Sequence, residues 1–389
     1  MLRTRSASRR ATRVAAILAA AAAALPLIAA EVRADPVRVV VGFHGSADEA
    51  VFARHGGRAD TAASGAVAGY VAPERLRALG REPGVAFVEE DLVRQASDTP
   101  NDPLYATQQA DDFGLIGCPA AWDVSKGDNI VVAVLDTGCQ TNHPDLSTKI
   151  AKSRNFTNKK TADVTDKDGH GTHTAGTAGA RTHNGAGVAG AGYNAKLAIG
   201  KVLGPSGAFD SWIAAGIDWA RQTSPAAKVV SMSLGGPGTS AVLENAIDNA
   251  WANHVILVAA AGNDGANQPE GNPSNDYPAA SPNCISVAAV NSAGTRAGFS
   301  NYGTSVDIAA PGVNISSTYK GSRYVLLSGT SMATPHVAGV AALVWATAPG
   351  ATGASVRARL EDTATLAVTG DPVGNLRVLD AHAAVTAAP

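Results

Sequence analysis

Six stretches of the chain are apolar at nearly every position: NIVVAVLD (129–136), KLAIGKVL (196–203), AKVVSMSL (227–234), HVILVAAAG (254–262), ISVAAV (285–290) and VDIAAPG (306–312). A strand with one wet face alternates apolar and polar residues. These do not, so they read as parallel strands covered on both faces. Between them, DSWIAAGIDWARQ (210–222) and AVLENAIDNAWANH (241–254) carry apolar residues at helical spacing. The pattern predicts an α/β domain, a mostly parallel sheet with helices on both faces, whose functional groups collect at the carboxyl ends of the strands.

The pattern is different earlier in the chain. VRVVVGF, AVAGYVA and VAFVEED read as strands, with ADEAVFARHG and PERLRALGREPG as short helices between them. Pro73 opens the second helix and Gly80 or Gly84 ends it. This β-α-β-α-β order predicts a small α+β module over 35–97, of a size that buries little surface by itself. The polar, turn-rich RQASDTPNDP joins it to the large domain, 98–389, and can be cut without disturbing a core. At the start, Arg9, Arg10 and Arg13 precede an apolar run over 14–30, and Val32 and Ala34 fit the small-residue positions of a cleavage site. Residues 1–34 therefore read as a secretory signal peptide, with a membrane anchor as the alternative; no later segment reads as a bilayer span.

Composition narrows the function classes. Of 389 residues, 45% are hydrophobic and 16% charged, with a formal net charge of -2, as in a soluble globular protein. No basic block follows the leader, which argues against a nucleic-acid partner. Cys118, Cys139 and Cys284 are too few for a disulfide scaffold and lack metal-ligand spacing. Cys118 and Cys139 bracket one strand and could pair in an oxidising compartment; three free thiols are the alternative.

Candidate chemistry sits at element ends. Asp136 closes a strand in LDTG, His170 opens a helix in DGHGTHTAGTAG, and Ser331 stands in GTSMATPHVAG before a helical run. Alone, each has a plain reading: a turn or cap aspartate, a helix-start histidine, an N-cap serine. Zinc at His170 and His173 fits poorly, since no H-E-x-x-H arrangement exists. Together they supply an acid, a base and a nucleophile. Asn263, directly after a buried strand in AAAGN, adds an amide donor for a developing oxyanion, and the Ser331 N–H at a helix start would be a second.

These four segments, in this order, resemble the signatures of the subtilase family of serine proteases. The large domain is similar to its thermitase-like branch, to which NDPLYATQQ, AWDVSKG and TNHPDL also point. A lipase-type α/β-hydrolase would need G-x-S-x-G, and Ser331 sits in GTSMA. The resemblance implies a subtilisin-like fold with Ser331 as nucleophile, His170 as general base, Asp136 as its orienting acid, and Asn263 with the Ser331 N–H as oxyanion hole. It makes Ser233, Leu234, Gly235 and Gly236 the edge that pairs with an extended peptide, and Ala259, Ala260, Ala261 and Gly262 the other wall of the main specificity pocket. Small walls leave room for apolar or aromatic substrate residues, so broad specificity is expected.

The small module resembles the inhibitor-type propeptide of such proteases. Its tail, EEDLVRQAS, would occupy the substrate cleft until cleavage between about residues 96 and 101. The resemblance thus implies a secreted, self-processing zymogen that acts on proteins and peptides, inhibited by its own propeptide, maturing to a monomer free of the membrane. No cofactor is expected in catalysis. Structural Ca²⁺ is expected at Asp102 and Asn184, with Asn155 where that branch would place a second aspartate. One departure bears on specificity. The loop after Asn263 (264–284) is longer than expected and carries Asp264, Glu270 and Asp276, and a charge reaching the pocket would favour a basic substrate residue. A scaffold that binds peptides without cleaving them is the other class of reading, and it has no need of all four site residues.

Overall fold

A computed structural model of the chain describes residues 35–92, 99–272, 274–348 and 350–387. The expected signal peptide and part of the expected cleavage region lie outside them. The chain divides into two compact units, one ending at Gln95 and the other beginning at Ala96.

In the first unit, β1 (Val37–Phe43), β2 (Arg58–Ala63), β3 (Ala66–Val71) and β4 (Val85–Glu90) form an antiparallel sheet in the order β2-β3-β1-β4. Two short helices, Ala50–Arg54 and Leu76–Leu79, complete an α+β module around buried Val39, Val41, Phe52, Val67, Val71 and Leu79. β2 departs from the expected pattern, because RADTAA has no apolar run. It forms through a tight reversal in which Ser64 (φ 53°) and Gly65 (φ 76°) are both left-handed, the backbone that suits a two-residue hairpin.

The second unit is built on β5 (Val131–Asp136), β6 (Ile150–Asn155), β7 (Lys196–Lys201), β8 (Val229–Met232), β10 (Ile256–Ala260), β12 (Ile285–Val290), β13 (Ile308–Pro311), β16 (Leu366–Ala367) and β17 (Arg377–Val378). Their order is β16-β17-β13-β12-β10-β8-β5-β7-β6, parallel throughout except for the edge pair β16 and β17. Two small antiparallel ladders flank the sheet: β9 (Gly236–Pro237) with β11 (Asp276–Tyr277), and β14 (Ile315–Tyr319) with β15 (Arg323–Leu327).

All six apolar runs contain a strand of this sheet. β6 was not legible, because it is an edge strand: Ser153 and Arg154 are exposed, so IAKSRN shows no apolar run. The period of two appears only in which core each side chain enters. Val131, Ala133 and Leu135 of β5 pack on one face with Ile213, Ile217, Leu243 and Ile247 from helices Asp210–Gln222 and Ala241–Ala252. Val132 and Val134 pack on the other with Val337, Val340 and Leu343 of helix Thr330–Thr347. The three cysteines are free, buried thiols, so Cys118 and Cys139 do not pair.

Helix Thr330–Thr347 is buried over most of its length, and Gly339 packs tightly against Ala178, Ala191 and Gly192. A Cβ there would lie 2.6 Å from the Ala191 Cβ, 2.7 Å from the Gly192 N and 2.8 Å from the Ala178 O, two of which are backbone atoms that cannot rotate away. Gly339→Val, made in a Ser331→Ala background, is expected to lose about 1–3 kcal/mol in urea unfolding. An unchanged midpoint and slope would contradict this packing.

Candidate active site

The strand order reverses between β5 and β8, and the crevice at such a reversal lies at the carboxyl ends of the strands. Asp136 is the last residue of β5, Ser233 follows β8, and Asn263 follows β10; these three strands are neighbours. The helices beginning at His170 and Thr330 start at the same edge.

Asp136 is 1% exposed, so its carboxylate must be satisfied by protein. Its Oδ1 accepts from the Thr137 N–H (2.6 Å) and pairs with His170 Nδ1 (2.8 Å), and its Oδ2 accepts from Thr174 Oγ1 (3.1 Å). His170 is brought there by two glycines. Gly138 takes a φ of 109°, and a Cβ on Gly171 would lie 2.2 Å from the Gly138 O; the Gly171 N–H donates to Thr137 Oγ1 at 2.8 Å. Any larger residue at 171 would push the histidine helix off the strand end.

Asp166 then fixes the helix start. Its Oδ1 accepts from the Gly169 N–H (2.8 Å) and Thr137 Oγ1 (2.9 Å), and its Oδ2 from the Thr172 N–H (2.9 Å) and Thr172 Oγ1 (2.6 Å). Asp166 was not among the expected site residues, although an acid just ahead of a helix start is the residue that satisfies its free N–H groups. His173, the other half of the zinc alternative, is buried with Nε2 on the carbonyls of Ile315 (3.0 Å) and Val325 (3.2 Å). Burial pushes it down to about 4. It is a neutral tie between helix and hairpin.

Ser331 is not a cap. Gly329 occupies the N-cap position with no side-chain cap bond, and Ser331 Oγ faces the Ser233 carbonyl at 3.4 Å. Pro335, four residues on, has no N–H to return to the Ser331 carbonyl, and Ser233 Oγ donates to that carbonyl instead at 2.7 Å. This locks the SLGG segment to the serine helix. Asn263 is oriented as firmly: its Oδ1 accepts from the Thr330 N–H (2.9 Å) and Thr330 Oγ1 (3.1 Å). A backbone N–H demands an acceptor, so Nδ2 must be the outward group of this exposed residue. It offers donors beside the Ser331 N–H, which makes no hydrogen bond among the described residues. His170 and Ser331 are not hydrogen-bonded to each other, a looseness common in catalytic pairs without substrate.

The comparisons with known proteins meet this geometry. A family model described as "Subtilase family" matches residues 127–380. The chain belongs to the subtilase family. It is 42% identical to thermitase of Thermoactinomyces vulgaris over 270 residues, 68% of this chain and 91% of that protein. It is 41% identical to subtilisin E of Bacillus subtilis over 303 residues, covering 77% and 75% of the two chains. A solved protease structure from Pseudoalteromonas arctica superimposes with a TM-score of 0.66 at 37% identity, over 74% of this chain and 99% of that one. This subtilase is therefore a serine endopeptidase acting on peptide bonds of proteins and peptides.

The expected peptide-binding residues follow β8 and span the end of β10, two neighbouring strands. Ser233 and Leu234 are buried, Gly235 is exposed and Gly236 half-buried, and the SLGG segment runs into the β9–β11 ladder. Leu234, Gly235 and Gly236 line a groove of 390 Å³ together with Leu203, Ile213 and Tyr277. Opposite, Ala259, Ala260 and Ala261 are buried, and Gly262 (φ 104°) turns the chain toward Asn263.

The expected calcium ligands separate. Asp102 (2% exposed) and Asn184 do meet: Asp102 Oδ1 accepts from the Asn184 N–H (3.1 Å) and Oδ2 from the His183 N–H (2.7 Å). The carboxylate beside them is Asp145, fully buried, whose Oδ1 accepts from Asn184 Nδ2 (2.9 Å) and Oδ2 from the Val188 N–H (3.1 Å). Asn155 belongs elsewhere. It ends β6 and spends its amide inside its own loop, Nδ2 on the Asp163 carbonyl (2.6 Å) and Oδ1 on the Thr157 N–H (2.8 Å). Among the described residues, no three or more His, Cys, Asp or Glu gather as a metal cluster. Two buried carboxylates with the Asn184 side-chain amide are nonetheless hard oxygen donors of the kind Ca²⁺ takes. Burial raises the Asp102 carboxyl and Asp145 adds repulsion, against the two N–H bonds that lower it. A bound cation would relieve both costs.

The His170 equilibrium is strongly altered. Burial pulls it down, but the charge and hydrogen bond of Asp136, with Asp168 and Asp166 beyond, outweigh burial and raise it to about 9. In Ser331→Ala protein, the His170 ring resonances are expected to titrate well above the ordinary 6.5, and to move down by a unit or more in an added Asp136→Asn change. Titration near 6.5 in both proteins would contradict the pairing.

Proposed function

We propose that this chain is a secreted, thermitase-like subtilase made as a self-processing zymogen. The observation that carries the reading is the convergence of the Asp136–His170 pair, the Thr330-fixed amide of Asn263 and the uncapped Ser331 at one carboxyl edge of the sheet. With His170 Nδ1–H on Asp136, the tautomer leaves Nε2 as the acceptor. It takes the Ser331 Oγ proton as that oxygen attacks the scissile carbonyl. Charge developing on the carbonyl oxygen is met by Asn263 Nδ2 and the Ser331 N–H. His170 then protonates the leaving amine, and a water deprotonated by the same nitrogen releases the acyl group. Because the base works only when neutral, and its equilibrium is raised, activity should climb with pH on the alkaline side of neutrality.

The α+β unit serves as an intramolecular inhibitor and folding aid, and 1–34 as the export signal. Its compact fold and the polar joint after it support this role. Walls of alanine and glycine leave space for a large substrate residue, apolar and aromatic ones included. The mature enzyme acts as a monomer. Asp102, Asp145 and Asn184 would hold a structural Ca²⁺, which supplies charge neutralisation to the loop around residues 183–188 and no part of the chemistry.

Purified wild-type chain is expected to trim itself near residue 97 by intact mass and to cleave casein. Ser331→Ala should do neither, and Asn263→Ala should lose about 10²- to 10³-fold in kcat with little change in KM. A Ser331→Ala chain that still trims itself in dilute, purified form would overturn the assignment. For calcium, chelation should lower the melting temperature of Ser331→Ala protein by several degrees, a difference that Asp145→Asn erases. Identical melting curves with and without chelator would remove the metal from the account.

A further inference from the structure

Of the three acids in the long loop after Asn263, one lies against Gly262, a residue of the expected pocket wall. Glu270 is exposed and its N–H bonds Thr304 Oγ1 (2.9 Å), and Asp264 is exposed. Asp276 is carried by β11, which runs antiparallel beside the SLGG wall, with Asp276 opposite Pro237 and Tyr277 opposite Gly236. Its side chain reaches the other wall: a Cβ built on Gly262 would lie 2.1 Å from Asp276 Oδ2. The carboxylate therefore rests on the Gly262 Cα, between the two walls and one residue from Asn263. Only glycine at 262 permits this contact.

The carboxylate is held but not neutralised. Asn301 Nδ2 donates to Oδ2 at 2.8 Å and to the Ala261 carbonyl at 2.9 Å, while Asn301 Oδ1 accepts from the Asp264 (3.1 Å) and Ala266 (2.9 Å) N–H groups. Asn301 is itself fully buried, so the Asp276 position is fixed by the wall it faces. Among the described residues, Oδ1 makes no hydrogen bond and no Lys, Arg or His forms an ion pair with Asp276. The group is half-buried, and burial together with the neighbouring Asp264 charge raises its carboxyl against the Asn301 bond. A half-desolvated charge with one free oxygen favours an incoming cation.

We propose that Asp276 is a specificity-determining residue and that the pocket takes a lysine or arginine side chain at the substrate position preceding the scissile bond. The apolar stem of such a residue lies between the alanine and glycine walls, and its charged head reaches the free Asp276 oxygen. This inference rests on the active-site reading above and revises the apolar preference that the small walls alone suggest.

Two peptide anilides identical except for Arg or Phe at that position test it, with self-matured wild type beside Asp276→Asn, whose amide oxygen can still accept from Asn301. The wild-type ratio of kcat/KM for Arg over Phe is expected to fall at least about tenfold in the variant. An unchanged ratio overturns the role of Asp276 while leaving the active site standing. A folded wild type that hydrolyses neither peptide overturns the active-site reading itself. Wild type alone gives a second measurement, in case the variant does not fold: benzamidinium should inhibit Phe-peptide hydrolysis at least about tenfold more strongly than neutral benzamide. Equal inhibition would also overturn the proposal.

Discussion

The structure depends on a carboxylate placed where water cannot reach it. Asp136 ends a parallel strand at 1% exposure, and a buried carboxylate is tolerable only when hydrogen bonds replace its hydration. Thr137, Thr174 and His170 supply them. Each of the three then needs support of its own. Thr137 is held by Asp166, Thr174 by the histidine helix it belongs to, and His170 by the glycine contacts that let that helix touch the strand end. The need to satisfy one buried acid thus accounts for the small residues of LDTG and DGHGTHTAG, and delivers an imidazole oriented for proton transfer.

The serine side is built on a different constraint. Pro335 removes an N–H from the helix interior, and the freed Ser331 carbonyl becomes the anchor for Ser233. Thr330, one residue earlier, holds Asn263 by its carbonyl oxygen and turns the amide outward. Nucleophile, oxyanion donor and peptide-binding edge are therefore tied to the first turn of a single buried helix. Such a site is rigid because it grows from regular elements of the sheet core, and substrate contacts are left to loops that can differ between relatives without disturbing the chemistry.

Much of this was legible in the residues, and the failures have physical causes. Continuous apolar runs revealed the buried strands, while β6 and β2 were hidden because strands at a sheet edge carry polar residues. Asp136, His170, Asn263 and Ser331 stood out because chemistry requires those types at element ends. Thr330 and Asp145 act on residues far along the chain, and nothing in their local sequence announces a distant partner. Asp166 did carry a local signal, an acid just ahead of a helix start, and Asn155 spends its amide within its own loop. Asp276 was visible as an acid in a long loop; its position against Gly262 required the fold.

The most direct test of the central claim, that Asp136, His170 and Ser331 work as one activated nucleophile, is covalent labelling with a sulfonyl fluoride followed by peptide mapping. The account predicts one adduct per matured molecule, on Ser331, with a labelling rate that collapses in His170→Ala. Folded protein that remains unlabelled, or that labels with the same rate after His170→Ala, would contradict it.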